Sequence, residues 1–228
     1  SYNVGTTFSY AKNKVVYVSE APAYPYQAQT GHRIGTKLGL KCVGFYQQED
    51  FDENGKLKEG IPAPAWASNL QPGDLRYADL NGDNFITDAD KTYISKPDTP
   101  TCTYGITLGG SWKGLSFNML WQGAGKYQYY REWEVQKPAP GDGNSAAMFA
   151  DRWHREDPFD LNSAWIPGKY PSTGSWASGQ NNNYDRASDF WLTNIVYLRL
   201  KELELGYTIP QQISLKAGIK RFRVYFSG

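Results

Sequence analysis

The chain has 228 residues, with 24 Lys plus Arg against 23 Asp plus Glu, and 15% of it is aromatic. A formal net charge of +1 with no basic run excludes the electrostatic footprint of a nucleic-acid binder. The aromatic load excludes wholesale disorder, and no apolar run reaches the roughly 18 residues of a membrane-spanning helix.

The 17 Tyr, 10 Phe and 8 Trp, with 23 Gly and 13 Pro, point to an all-β chain of strands joined by turns. Membrane-barrel strands of ~9–11 alternating residues escape a hydropathy scan, so the membrane itself stays open.

In chain order, residues 2–18 hold two apolar runs. Val4, Thr6, Phe8 and Tyr10 share one parity, Ala11-Lys12-Asn13-Lys14 interrupts, and Val15-Val16-Tyr17-Val18 follows. This reads as one long strand or a hairpin, and as no signal peptide. Ala21-Pro22-Ala23-Tyr24-Pro25 stops any ladder, because proline donates no N–H. Residues 35–46 read as another strand. A polar, Pro-rich stretch over 47–75 closes on the turn Gln71-Pro72-Gly73-Asp74.

Residues 103–122 carry the clearest pattern. Tyr104, Ile106, Leu108 and Trp112 alternate with Thr103, Gly105, Thr107, Gly109 and Ser111. Beyond Lys113-Gly114, Leu115, Phe117, Met119 and Trp121 alternate with Ser116, Asn118 and Gln122. That is a β-hairpin with one apolar and one small or polar face. Residues 123–193 are irregular, with a short helix expected near 146–152. So long an irregular run is unusual inside a compact domain but ordinary as an extracellular barrel loop. The run 195–208 is a strand that changes phase near Lys201–Leu203, as a bulge would make it. Residues 219–227 alternate again.

The loop 79–90 reads Asp-Leu-Asn-Gly-Asp-Asn-Phe-Ile-Thr-Asp-Ala-Asp. Asp79, Asn81 and Asp83 fall at positions 1, 3 and 5 of an EF-hand-like loop, the Phe85 carbonyl at 7, Thr87 at 9 and Asp90 at 12. Alternating oxygen donors in a tight loop suit a structural Ca²⁺. A solvated Asx-turn loop without metal is the alternative. A second run, Asp50-Phe51-Asp52-Glu53-Asn54-Gly55, has Ile61 where the closing carboxylate belongs and reads as a turn.

Motifs for hydrolases, metalloproteases, P-loops and redox dithiols are missing, so no enzyme is expected. His154, in Trp-His-Arg-Glu-Asp, reads as a salt-bridged surface residue. Cys42 and Cys102 make no disulfide framework, and pairing or free thiols both stay open. Trp153, Trp165, Trp176, Tyr184 and Trp191 crowd one region beside amides and acids. They are candidates for contact with a sugar or peptide, or else they pack the loop onto its scaffold.

Several ordered phrases resemble the SusC/RagA family of TonB-dependent outer-membrane transporters. Pro72-Gly73-Asp74-Leu75-Arg76-Tyr77-Ala78-Asp79-Leu80-Asn81-Gly82-Asp83 with Ile86-Thr87-Asp88-Ala89-Asp90 is similar to a characteristic segment of that family. So are Tyr104-Gly105-Ile106-Thr107-Leu108, Trp121-Gln122-Gly123, and Asp151-Arg152-Trp153 with Glu156-Asp157-Pro158. The most specific match is Tyr197-Leu198-Arg199-Leu200-Lys201-Glu202-Leu203-Glu204-Leu205-Gly206-Tyr207-Thr208-Ile209-Pro210, continued by Arg223-Val224-Tyr225-Phe226-Ser227-Gly228. Together they cover most of residues 72–228.

The resemblance implies a stretch of antiparallel strands from the C-terminal half of a transmembrane β-barrel. Such barrels have about 22 strands and a plug. The chain would be partial, lacking the plug and the closing strands, with extracellular loops at about 47–101 and 123–193. It further implies import of oligosaccharides or peptides across the outer membrane with a SusD-like lipoprotein, energised by TonB through the missing N-terminal part. Tyr104, Ile106, Leu108, Phe117, Met119 and Trp121 would then face lipid, and Thr103, Thr107, Ser116, Asn118 and Gln122 the polar lumen. The alternative is a soluble, Ca²⁺-stabilised β-sandwich that binds glycan.

Overall fold

A computed structural model describes residues 1–67, 69–132, 136, 144–172 and 186–228. The chain falls into two units, one of Ser1–Asn13, Pro97–Gln128 and Asn194–Gly228, the other of Lys14–Lys96 and Tyr129–Thr193.

The alternating runs build the first unit. Its sheet takes five strands in chain order: a first strand Tyr2–Tyr10, hairpin arms Cys102–Trp112 and Leu115–Tyr130, a long strand Leu192–Thr208 and a last strand Arg223–Ser227. The first strand pairs antiparallel with the first arm from Tyr2↔Gly110 to Tyr10↔Cys102. The hairpin runs in unbroken register from Trp112↔Leu115 to Cys102↔Gly125. The last strand pairs antiparallel with the long strand from Glu204↔Ser227 to Thr208↔Arg223.

Turn chemistry fixes the hairpin register. Lys113 (φ 47°) and Gly114 (φ 89°) both lie in the left-handed region. A two-residue turn of that hand matches the right-handed twist of the flanking strands. Thr208 donates its N–H to the Gly114 carbonyl at 2.8 Å, so the long strand ends beside this turn. Both short connections, 113–114 and 209–222, therefore close one end of the sheet. Both long ones, 11–101 and 131–191, leave the other end.

One glycine is required by close approach. Tyr104 lies across from Gly123, and its ring occupies the space a Cβ on Gly123 would need. Its hydroxyl donates to the Tyr197 carbonyl at 2.8 Å, tying the hairpin to the long strand. An aromatic ring laid over a cross-strand glycine restores the packing that glycine lacks.

The second unit is held by its own core. Leu40, Leu75, Tyr77, Ile86, Phe149 and Trp191 are buried together, with Phe45, Trp66, Tyr130, Tyr170 and Phe190 packed around them. Strands here are short: Leu38–Gly39 pairs with Thr92–Tyr93, Cys42–Phe45 with Leu75–Tyr77, and Ala63–Pro64 with Phe85–Ile86. The unit thus gains its order from aromatic packing more than from ladders.

Several expectations change at this level. Residues 15–18 form no strand, and Val16 and Tyr17 are exposed; an apolar run without a partner strand does not make one. The expected strand over 35–46 breaks at Leu40 and Lys41, because Leu40 instead donates its N–H to the Ala187 carbonyl at 2.7 Å. The helix near 146–152 is a 3-10 turn, Ala147–Asp151. The second arm and the long strand reach Tyr130 and Leu192, further into the expected irregular run than the alternation alone indicated.

Replacing Gly123 by Val is expected to disrupt the hairpin, since the new side chain collides with the Tyr104 ring. Tyr104→Phe should cost only about 1 kcal/mol, the worth of one hydrogen bond. Loss of the compact, heat-sensitive band on detergent gels, at a lower temperature for Gly123→Val than for Tyr104→Phe, checks both.

Candidate functional site

Register assigns every side chain of the sheet to a face, because directly opposed residues point the same way. Val4, Phe8, Tyr104, Ile106, Leu108, Phe117, Met119 and Trp121 share one face. Leu205 with Phe226 and Tyr207 with Val224 pair as apolar neighbours further along the sheet. The opposite face carries Asn3, Thr7, Ser9, Thr103, Thr107, Ser111, Ser116, Asn118 and Gln122.

The long strand keeps this division by changing phase. Arg199 reaches Gln122 Oε1 at 3.4 Å, so an odd-numbered residue lies on the polar side. Further on, Arg223 bridges Ser116 Oγ at 3.2 Å and the Glu204 carboxylate, so an even-numbered residue lies there. The switch falls between these points, where the sequence loses its alternation, as a bulge makes it do. Leu198 and Leu200 before it thereby share the apolar face with Leu205 and Tyr207 after it. These side chains are not buried: Val4 is 66% exposed, Phe8 71%, Val196 73% and Phe226 63%.

The acidic loop 79–90 is closed by its own backbone. Asp90, fully buried, accepts from the N–H groups of Leu80 and Thr87, each at 2.8 Å, and more weakly from Asn81 at 3.4 Å. Asp79 accepts from Gly82 at 2.7 Å and Asn84 at 2.8 Å, and Asp83 from Phe85 at 2.8 Å. Asn84 takes φ 65°, the left-handed turn expected at position 6. Among the described residues no three His, Cys, Asp or Glu side chains gather as a metal-binding group. The carboxylates thus hold the loop through backbone N–H groups in this structure. The run 50–55 is a turn, with Asp52 accepting from Asn54 at 2.9 Å and Lys56 at 2.8 Å.

The aromatic candidates separate. Trp191 is 1% exposed in the core, and Trp153 is 5% exposed with its side chain where a Cβ on Gly73 would stand. Neither offers a ring face to a ligand. Trp165 is half-buried under the Arg155 guanidinium, 4.6 Å from the ring centre. Trp176 and Tyr184 lie outside the described residues. His154 makes no ion pair among the described residues; its Nδ1 lies 2.8 Å from the Arg152 carbonyl.

A different concavity went unread in the sequence. A cleft of about 1160 Å³ in the second unit is lined by Asp52, Asn54, Leu57, Ile61, Asn69 and Phe85 among others. Phe85, entered in the loop only for its carbonyl, exposes 59% of its surface there. Its odd position in a loop of acids was the available signal.

Cys42 and Cys102 are both free thiols. Burial pushes the Cys42 thiol up to about 11, and the thiol donates to the Gly44 carbonyl at 3.4 Å. Its N–H donates to Asp189 Oδ1 at 2.7 Å, and burial raises that carboxyl above its ordinary value.

The described residues of the first unit form an exposed antiparallel meander, apolar on one side and polar on the other, an all-β arrangement. Comparison with known proteins narrows the class. No protein-family model matches the chain. It is 27% identical to TonB-dependent receptor P3 of Formosa agariphila, over all of this chain and 22% of the relative. To TonB-dependent receptor P26 of the same organism it is 25% identical, over 87% of this chain and 18% of the relative. The chain thus spans about a fifth of the length of the curated relatives it matches. Its fold matches the RagAB peptide transporter with a TM-score of 0.61 at 19% identity, over 99% of this chain and 23% of that one. It matches the "open-open" RagAB peptide importer with a TM-score of 0.59, also at 19% identity, over 99% and 22%. The resemblance to a segment of a SusC/RagA-type TonB-dependent transporter is shown by sequence and fold together. The relatives are named as receptors and importers, not enzymes.

Two outcomes follow from the second unit. Asp90→Ala strips the loop of a buried acceptor for N–H groups and should destabilise this unit by about 3 kcal/mol, seen as earlier proteolysis of 79–90. At pH 8 iodoacetamide should label Cys42 on the order of a hundredfold more slowly than an unperturbed thiol, with the rate rising about tenfold per pH unit until near 11.

Proposed function

We propose that this chain is part of the wall and the extracellular loops of an outer-membrane TonB-dependent transporter. It imports peptides or oligosaccharides together with a SusD-like lipoprotein, and TonB acts on the remainder of the protein. The carrying observation is the exposed apolar face on a sheet whose opposite face is polar. Water makes such a face unfavourable by roughly 25 cal/mol per Å², whereas lipid makes it favourable. The first and last strands each have one edge without a partner among the described residues, which supports continuation of the sheet on both sides. Short connections at one end suit the periplasmic rim, and long ones the cell surface.

A soluble sandwich would bury the apolar face under a second sheet. The exposure of Val4, Phe8, Val196 and Phe226 opposes that reading.

The experiment is fluorescence quenching by brominated lipid in the full-length protein, with Trp121 kept as the only wall tryptophan. Strong quenching is expected, and none would end the barrel reading. Transport is tested separately, by growth of a deletion strain on a panel of glycans and peptides. Loss of growth on one class is expected, with the same loss when the adjacent lipoprotein is removed.

Ca²⁺ in the 79–90 loop is a second proposal, supported by the ligand spacing and the left-handed Asn84. Asp79, Asn81, Asp83 and the Phe85 carbonyl would hold the ion, with Asp90 closing the loop, and its role would be to stiffen the loop. Calorimetry should show Ca²⁺ heat that Asp79→Ala abolishes. No heat in the wild type leaves the backbone N–H groups as the sole fastening.

A further inference from the structure

At the short-connection end of the sheet, cations collect without acids. No Asp or Glu occurs between Asp98 and Glu132, or anywhere after Glu204. Lys113 sits in the hairpin turn, and Lys216, Lys220 and Arg221 in the connection to the last strand. These two connections are neighbours. Thr208 bonds to Gly114, Thr208 pairs with Arg223, and Ile209 donates its N–H to the Phe222 carbonyl at 2.9 Å. Among the described residues none of these four cations meets a carboxylate at ion-pair distance.

The same connection is apolar where it is exposed. Its short helix Gln211–Ser214 and the following 3-10 turn Leu215–Ala217 present Ile213 (60% exposed) and Leu215 (51%), followed by Ile219 and Phe222. Exposed aliphatic residues interleaved with Lys and Arg are the composition of a segment lying at a lipid–water boundary. Beside it the sheet holds a groove of about 720 Å³, lined by Tyr2, Trp112, Phe117, Tyr207, Val224 and Phe226 among others. Its size is within the ~300–1,000 Å³ of small-molecule sites. The Lys113 ammonium stands 4.8 Å from the Trp112 ring centre, over the rim of that groove.

We propose that this rim is a seat for an anionic phospholipid, with an acyl chain in the groove and the phosphate drawn to Lys113, Lys220 and Arg221. The charge of the rim selects the headgroup, and the groove requires the attached chain. The inference rests on the barrel reading above, which places this rim at the periplasmic side of the membrane.

The test is native mass spectrometry of the full-length protein, delipidated in detergent and titrated with phosphatidylglycerol, phosphatidylcholine or inorganic phosphate. Phosphatidylglycerol should be retained in preference to phosphatidylcholine, and inorganic phosphate should not displace it. Each of K113Q, K220Q and R221Q should weaken that preference by about fivefold, the worth of one cation beside an anionic lipid surface. Lys126→Gln, at the opposite end of the sheet, should leave it unchanged. Equal retention of the two lipids, displacement by phosphate, or an unaltered preference when K113Q, K220Q and R221Q are combined would overturn the seat. Quenching of Trp121 by brominated lipid reads the barrel separately. If Trp121 is quenched and no lipid preference is found, the seat alone fails; if Trp121 is not quenched, the barrel reading fails.

Discussion

A sheet with one apolar and one polar face has to find two different surroundings, and the first unit is arranged around that need. Backbone groups within the sheet satisfy each other, so side chains alone decide what each face meets. Val4, Leu108, Met119 and Phe226 are tolerable outward only where the surroundings are themselves apolar. Thr7, Thr107, Asn118 and Arg223 are tolerable only where water or hydrogen-bond partners remain. The phase change in the long strand belongs to the same constraint, because an unbroken alternation would have turned Leu198 and Leu200 toward the polar side.

The second unit solves a different problem. Connections as long as 11–101 and 131–191 would lose too much conformational entropy to be ordered by hydrogen bonds alone. Among the described residues of these connections, interlocking aromatic rings do much of the packing. Phe190 meets Phe45, Tyr170 and Trp191 edge-on, with ring centres 5.7, 6.5 and 4.8 Å apart. Buried carboxylates fasten the turns. Asp90 caps 79–90, and Asp74 accepts from Gln71 at 2.9 Å and from the Ser172 hydroxyl at 3.2 Å. The 15% aromatic content therefore serves two ends: outward rings on the sheet and inward rings in the loops.

The 79–90 loop shows how one spacing serves two chemistries. Asp, Asn and Asp on alternate residues converge on a point, and that point accepts either a cation or backbone N–H groups. The trajectory is the same in both cases, which is why spacing alone did not separate a metal loop from an Asx loop. The tryptophans show a similar ambiguity. Trp153 and Trp191 stand among amides and acids in the sequence, as ligand-stacking rings do, yet both are buried.

The sequence by itself determined the strands whose alternation is local: the first strand, the hairpin with its Lys113-Gly114 turn, and the end of the chain. It also determined which side chains share a face, because strand geometry is periodic over two residues. Even the irregularity near Lys201 was readable as a broken period. Tertiary structure alone decided the rest. The run 15–18 is apolar but pairs with no strand, and 35–46 divides because Leu40 bonds to Ala187, 147 residues further along the chain. Which rings face inward, where the cleft beside Phe85 opens, and how the 209–222 connection comes to lie beside Lys113 all depend on residues distant in sequence. A period reports on neighbours along the chain, whereas burial and pairing depend on partners the chain brings together only on folding.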